Sequence, residues 1–221
     1  MNKISNKHSS SKTAQRRQRE KTVRREVILR AAETLFAQKG YRKTRIEDIA
    51  DIAEVSVGAV YGYFKNKEEL LVHVLDDIGL YVRKIAAEAF GEAGSTLDGI
   101  EKAGLAFFDK LCVEHPEKVL LLYDESIGIS PQFLNARKNF MIKMTADVNH
   151  ALMQAKKDLG MVYCSDISAE VIAVCTTAIF VWLGLYYRLW QKKPEDILSI
   201  GRETMSYIAG GIKSLTAGKK Y

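Results

Sequence analysis

Residues 44–70 constrain this chain more than any other stretch. Thr44 and Glu47 stand three apart ahead of an apolar repeat formed by Ile46, Ile49, Ala50 and Ala53. That is the spacing of a capping box, and it predicts a short helix starting near Arg45. After a turn, Ser56 can cap a second short helix over 57–64, and Asn66 a longer one from Lys67. Ala50 is small where the two short helices must cross closely, and Ile49, Val55 and Val60 are apolar where the pair must bury itself. The second helix is expected to turn Val57, Gly58, Ala59 and Gly62 outward. A short helix with small exposed side chains can sink into a major groove. Tyr61, Tyr63 and Lys67 offer donors to flanking phosphates. Ser56 can add a phosphate contact to its capping role, while Phe64 fits the core. A lysine in the first turn of a helix opposes the helix dipole, which points to a functional reason for Lys67.

Upstream, Val27, Ile28, Ala31, Ala32, Leu35 and Phe36 recur at helical spacing, and Gly40 ends that helix. Residues 1–22 are polar without a hydrophobic period and read as disordered. Over residues 3–25 the positive charges Lys3, Lys7, Lys12, Arg16, Arg17, Arg19, Lys21, Arg24 and Arg25 face Glu20 alone. Such an arm suits a polyanion; a solvated tail has the same composition. The net charge of +6 agrees with either.

The remainder reads as helices over 67–90 (interrupted at Gly79), 97–113, 116–123, 131–159, 165–190 and 194–215, with no convincing strand. With 3 prolines in 221 residues, long helices are possible. The expected fold class is all-α: a disordered basic arm (1–22), a three-helix helix-turn-helix domain (23–66), and a helical ligand-binding and dimerisation domain (67–221). The stretch 171–190 is apolar nearly all round and raises a membrane question. Thr176, Thr177 and Arg188 within it favour a buried helix, one face inside the body and the other against a copy of itself.

The segment 25–72 resembles the TetR/AcrR regulators. The resemblance rests on Ile49-Ala50, Ala53, Val55-Ser56, Gly58, Tyr61, Tyr63-Phe64, Asn66-Lys67 and Leu70 in register, with Thr44 upstream and Ala31-Ala32, Phe36 and Gly40-Tyr41 in the first helix. Glu54 departs from the pattern, which most often has glycine there. That turn position tends toward a left-handed backbone, so a non-glycine residue costs about 1 kcal/mol. The resemblance implies a ligand-responsive DNA-binding regulator, a repressor released from a palindromic double-stranded operator by a small molecule, and the aromatic and methionine content of residues 97–190 points to a mostly apolar one. It implies dimerisation through the last two long helices. A ligand-independent architectural DNA-binding protein is the alternative. The expected DNA-binding set is Thr44, Arg45, Ser56, Val57, Gly58, Ala59, Tyr61, Gly62, Tyr63 and Lys67. Val57 and Ala59 cannot make bidentate base contacts, so specificity would lean on thymine methyls, Arg45 and DNA shape.

Effector chemistry is less legible. Phe107, Leu111, Tyr123, Phe140, Met144 and Trp182 are the candidate ligand-binding residues, although most such side chains build cores. Asp124, Asn149 and His150 are candidate polar contacts, and Met141, Met144 and Met153 could give an adaptable wall. No His/Cys/Asp/Glu spacing suits a metal, and no phosphate loop or nucleophile elbow is present, so neither cofactor nor enzymatic activity is expected. The cysteines, Cys112, Cys164 and Cys175, are odd in number and read as reduced thiols. No signal peptide is expected, and the chain reads as cytoplasmic without membrane attachment.

Overall fold

The structure, a computed structural model, describes residues 5–94, 96–123, 130–191 and 196–216, with the side chains of 5–11, 123, 188 and 189 outside that description. The described residues are mostly helical, joined by short turns, without a strand. The chain divides into two compact units, Met1–Val74 and Leu75–Tyr221. The division falls two turns inside a helix rather than at residue 66, because Leu70, Leu71 and Val74 are buried with the first unit's core.

The first unit contains α1 (Ser5–Lys39), α2 (Ile46–Ile52), α3 (Val57–Tyr63) and the start of α4 (Lys67–Ala93). Ile28, Ala31, Ala32, Leu35 and Phe36 of α1 are buried, as are Ile46, Ile49, Ala50, Val60 and Phe64. Val27, expected in this core, is 38% exposed, and Leu29 is buried in its stead.

The expectation of disorder over residues 1–22 does not hold from Ser5 onward, where α1 is one continuous helix. Neither glycine nor proline interrupts it, and its straight-chain Lys, Arg, Gln and Glu residues are good helix formers. Arg16 pairs with Glu20 across one turn at 2.8 Å. Its residues 12–24 are exposed on every side, so local propensity rather than burial maintains this part of the helix.

The second unit continues α4 and adds α5 (Leu97–Ala106), α6 (Pro116–Tyr123), α7 (Pro131–Leu159), α8 (Ser168–Leu183) and α9 (Ile197–Thr216). The expected start of the last helix at Pro194 lies outside the described residues. Two helices end in a wider, π-helical turn, α5 over Phe107–Val113 and α8 over Gly184–Trp190. Phe107, Phe108, Leu111 and Cys112 of the first such turn are all buried. Phe107 stacks on Phe180 of α8 at 5.3 Å between ring centroids.

Gly79 does not interrupt α4. A Cβ there would sit 3.0 Å from the Phe140 ring, so the glycine lets α7 approach closely. Gly104 does the same for α5 and α9, since its Cβ would fall 2.2 Å from Met205 Sδ.

The helix anticipated over 165–190 is not wholly covered. Ile172, Ala173, Thr176, Thr177 and Phe180 are buried. Its other face is apolar and open: Val171 is 44% exposed, Val174 50% and Trp182 57%. Ser168–Tyr187 is long and apolar enough, by length and composition alone, to cross a membrane.

Candidate functional site

The α2–α3 unit forms through local capping. Ser56 Oγ accepts from the Ala59 amide at 3.1 Å and starts α3. The box at α2 is displaced by one residue from the expected Thr44/Glu47 pair: the N-cap is Arg45, and Asp48 Oδ2 accepts from the Arg45 amide at 3.3 Å. That amide, with Lys39 beside it, holds the Asp48 carboxyl below its ordinary range. In the turn, Glu54 has φ 53°, the left-handed conformation expected at that position.

Thr44 is withdrawn from the expected DNA-binding set. It is 1% exposed, and its hydroxyl shares its one proton between the carbonyls of Gly40 (2.9 Å) and Leu35 (3.2 Å), tying the end of α1 to the turn. Lys67 is also committed internally. Its Nζ donates to the carbonyls of Tyr41 (2.9 Å), Thr44 (2.9 Å) and Arg42 (3.4 Å), and lies 4.5 Å from the centroid of the Tyr41 ring. An ammonium has three protons, and three carbonyls receive them. Burial pushes the Lys67 ammonium below the usual lysine range. This clamp, not a phosphate, explains a lysine at the first turn of α4.

The other members of the expected set lie at the surface. Gly58, Tyr61 and Gly62 are exposed on α3, with Val57, Ala59 and Tyr63 half-buried beside them and Ser56 and Arg45 exposed. Val60 and Phe64 turn inward. Positions 57, 58, 61 and 62 share one helix face. A Cβ on Gly62 would meet nothing within 4 Å, and one on Gly58 only Ser56 Oγ at 3.9 Å. Nothing in the unit's own packing requires either glycine, although each costs a helix about 1 kcal/mol relative to alanine. Arg42, Lys43 and Lys65, which sequence reasoning passed over, are exposed in the segments flanking α2 and α3. Their only signal was charge beside a turn.

In the second unit, a cavity of about 270 Å³ opens among α4, α5, α7, α8 and α9. Of the candidate ligand residues, Phe107 and Met144 line it, and so does His150. Leu111 does not: it is fully buried in the core. Phe140 lines a separate cleft of about 230 Å³ with Gly79, Arg83 and Lys143. Trp182 is on the open face of α8, edge-on to Trp190 at 5.3 Å. Asn149 and Met141 are not on the cavity's lining, and Met153 is 46% exposed. The Tyr123 side chain and Asp124 lie outside the described residues. The lining that sequence reasoning missed includes Ala86, Ala87, Ala103, Phe180 and Met205. Small residues on facing helices leave this space, and a single helix's hydrophobic pattern does not reveal which helices face one another.

A short two-helix reader set on a longer first helix, with a separate all-helical unit enclosing an apolar cavity, defines a one-component DNA-binding regulator. Family comparison agrees. The profile of the bacterial regulatory proteins, tetR family, matches residues 28–74. The chain is 32% identical over 196 residues to the HTH-type transcriptional repressor KstR2 of Mycolicibacterium smegmatis, covering 86% of this chain and 90% of that protein. It is 31% identical over 198 residues to the HTH-type transcriptional regulator YhgD of Bacillus subtilis, covering 86% and 97%. Among solved structures, the regulator FadR from Bacillus subtilis in complex with stearoyl-CoA shares the fold, with a TM-score of 0.71 at 16% identity over 84% of this chain and 98% of that one. The chain belongs to the TetR family of bacterial transcription regulators.

Proposed function

We propose that this regulator is a homodimeric repressor that holds a palindromic operator and lets go of it when a mostly apolar small molecule fills the cavity of the second unit. The observation that carries the reading is the cavity itself: about 270 Å³, with Ala86, Phe107, Met144 and Phe180 on its walls. A solid, fully packed body would have favoured a ligand-independent architectural protein. The volume lies just below the usual range for small-molecule pockets, about 300–1,000 Å³. The effector is therefore compact, or elongated with one end outside. The FadR neighbour, bound to stearoyl-CoA, lends support to the second form.

DNA is read by Val57, Gly58, Ala59 and Gly62 of α3, with Arg45, Ser56, Tyr61 and Tyr63 on base edges and phosphates. The dimer forms through the open apolar face of α8 and its π-helical extension, where Val171, Val174, Cys175, Trp182 and Tyr186 are exposed in one stripe, together with α9, where Tyr207 is 75% exposed. This partner, rather than a membrane, is what the apolar helix awaits. A two-fold dimer places its reading heads on half-sites about 34–36 Å apart or a multiple of that. The protein works in the cytoplasm, where its DNA is, and catalyses no reaction.

The test is operator selection from a random duplex pool, followed by a compound screen on the selected complex. The reading expects an inverted repeat, an apolar compound that releases it, and loss of that release in Ala103→Trp, which fills the cavity. Release that persists undiminished in Ala103→Trp would contradict it.

A further inference from the structure

The cavity is bordered by one ion pair, and the geometry of that pair suits exchange. Arg83 of α4 holds Asp147 of α7 in a fork, Nε donating to Oδ2 and Nη2 to Oδ1, the latter at 3.0 Å. Both residues line the apolar cavity, where His150 is the other ionisable group. Arg83 also lines the neighbouring cleft, with Asp76 and Lys143. Its side chain is 35% exposed and that of Asp147 46%, so neither is fixed by burial.

We infer, on the reading of the cavity proposed above, that the effector is an amphipathic anion: its apolar body fills the cavity, and its carboxylate or phosphate takes Arg83 from Asp147. A guanidinium fork matches either oxyanion in the same bidentate geometry that it uses for Asp147. Replacing one oxyanion by another leaves the Arg83 fork paired, so its donors lose no acceptor in the exchange. The displaced carboxylate has somewhere to go. Lys143 precedes Asp147 by four residues on α7, the spacing of helix ion pairs, and solvent reaches both.

The exchange also gives the ligand a means of control. A ligand shifts an equilibrium only by its differential affinity for two states. A neutral molecule would leave the Arg83–Asp147 tie between α4 and α7 in place, whereas an anion opens it. The helix so released, α4, begins at Lys67, among residues of the DNA-reading unit.

The experiment uses the full chain and three probes of one chain length, decanoate, decyl phosphate and decanol, with affinity measured by calorimetry. Wild type should bind either anion about tenfold more tightly than decanol, the surplus expected when a charge-assisted contact at the cavity replaces a half-exposed ion pair. Arg83→Gln should abolish that preference, the anions then binding no more tightly than decanol. Asp147→Asn, which removes the competing anion, should raise the ratio of anion to decanol affinity about fivefold, a gain that a fold defect cannot mimic. A preference for decanoate alone or decyl phosphate alone supports the exchange and identifies the headgroup. Equal binding of all three probes, blocked by Ala103→Trp, would overturn the headgroup inference while leaving the cavity reading intact. A preference for anions that survives Arg83→Gln would overturn it as well. Failure of every probe to bind would overturn the inference and count against the cavity reading too.

Discussion

Replacing Lys67 by methionine keeps the apolar stem and deletes the ammonium. Two good hydrogen bonds go with it, to the carbonyls of Tyr41 and Thr44 at 2.9 Å each, and one long one to Arg42 at 3.4 Å. Hydrogen bonds to charged groups contribute about 1.5–3 kcal/mol each. The site is half-buried, so water can partly replace the lost donors and the lower end applies. The contact with the Tyr41 ring, at 4.5 Å, adds about 0.5 kcal/mol. The expected loss is about 3–4 kcal/mol, or a fall in Tm of about 6–15 °C for a chain of this size. Circular-dichroism melting reads it. Fluorescence anisotropy, run at a temperature where the variant stays folded, should give an unchanged salt dependence of DNA binding. The reasoning is refuted if Lys67→Met melts with wild type while the slope of log K against log salt falls by about 0.9, the mark of one lost phosphate contact.

Glu54→Gly should relieve the left-handed strain at φ 53° and stabilise the first unit by about 1 kcal/mol in urea unfolding; an unchanged or lowered midpoint would contradict this. Gly62→Trp has open space around it and should melt like wild type, yet lose operator affinity at least about tenfold. Tyr61→Phe should weaken binding to operator and random duplexes by similar factors, because it removes a phosphate donor rather than a base contact. Val174→Arg, on the open face of α8, should shift the protein from dimer to monomer in sedimentation. Deleting residues 1–22 removes much of the exposed basic stretch of α1 and should flatten the salt slope by about two to four units for specific and non-specific DNA alike.

What the sequence made legible was local. The spacing of apolar residues in α1–α3, the Ser56 cap and the strained turn at Glu54 each follow from a few neighbouring residues, and the structure has all three. Long-range commitments were not legible. Thr44 looked like a cap because Glu47 lies three residues on, yet its hydroxyl reaches back nine residues to Leu35. Lys67 looked free for phosphate because its partners lie 23 to 26 residues earlier. Helix over 5–22 was missed because a period was sought where none is needed: an exposed helix rests on propensity alone. In the second unit the helices were readable but their facing was not. Leu111 and Trp182 therefore joined the candidate ligand residues although one is core and the other surface. Arg83, which touches both the cavity and the cleft, gave no signal at all in a stretch that reads as an ordinary amphipathic helix.

The most direct test of the central claim is the affinity of the purified full-length protein for its selected operator, measured by anisotropy with and without a compound that stabilises the protein thermally. The account predicts tight binding to the inverted repeat, weak binding to a scrambled duplex, and at least a tenfold loss of operator affinity at saturating compound, equivalent to about 1.4 kcal/mol of coupling. Equal affinity for operator and scrambled duplex, or an operator affinity indifferent to a compound bound in the cavity, would contradict it.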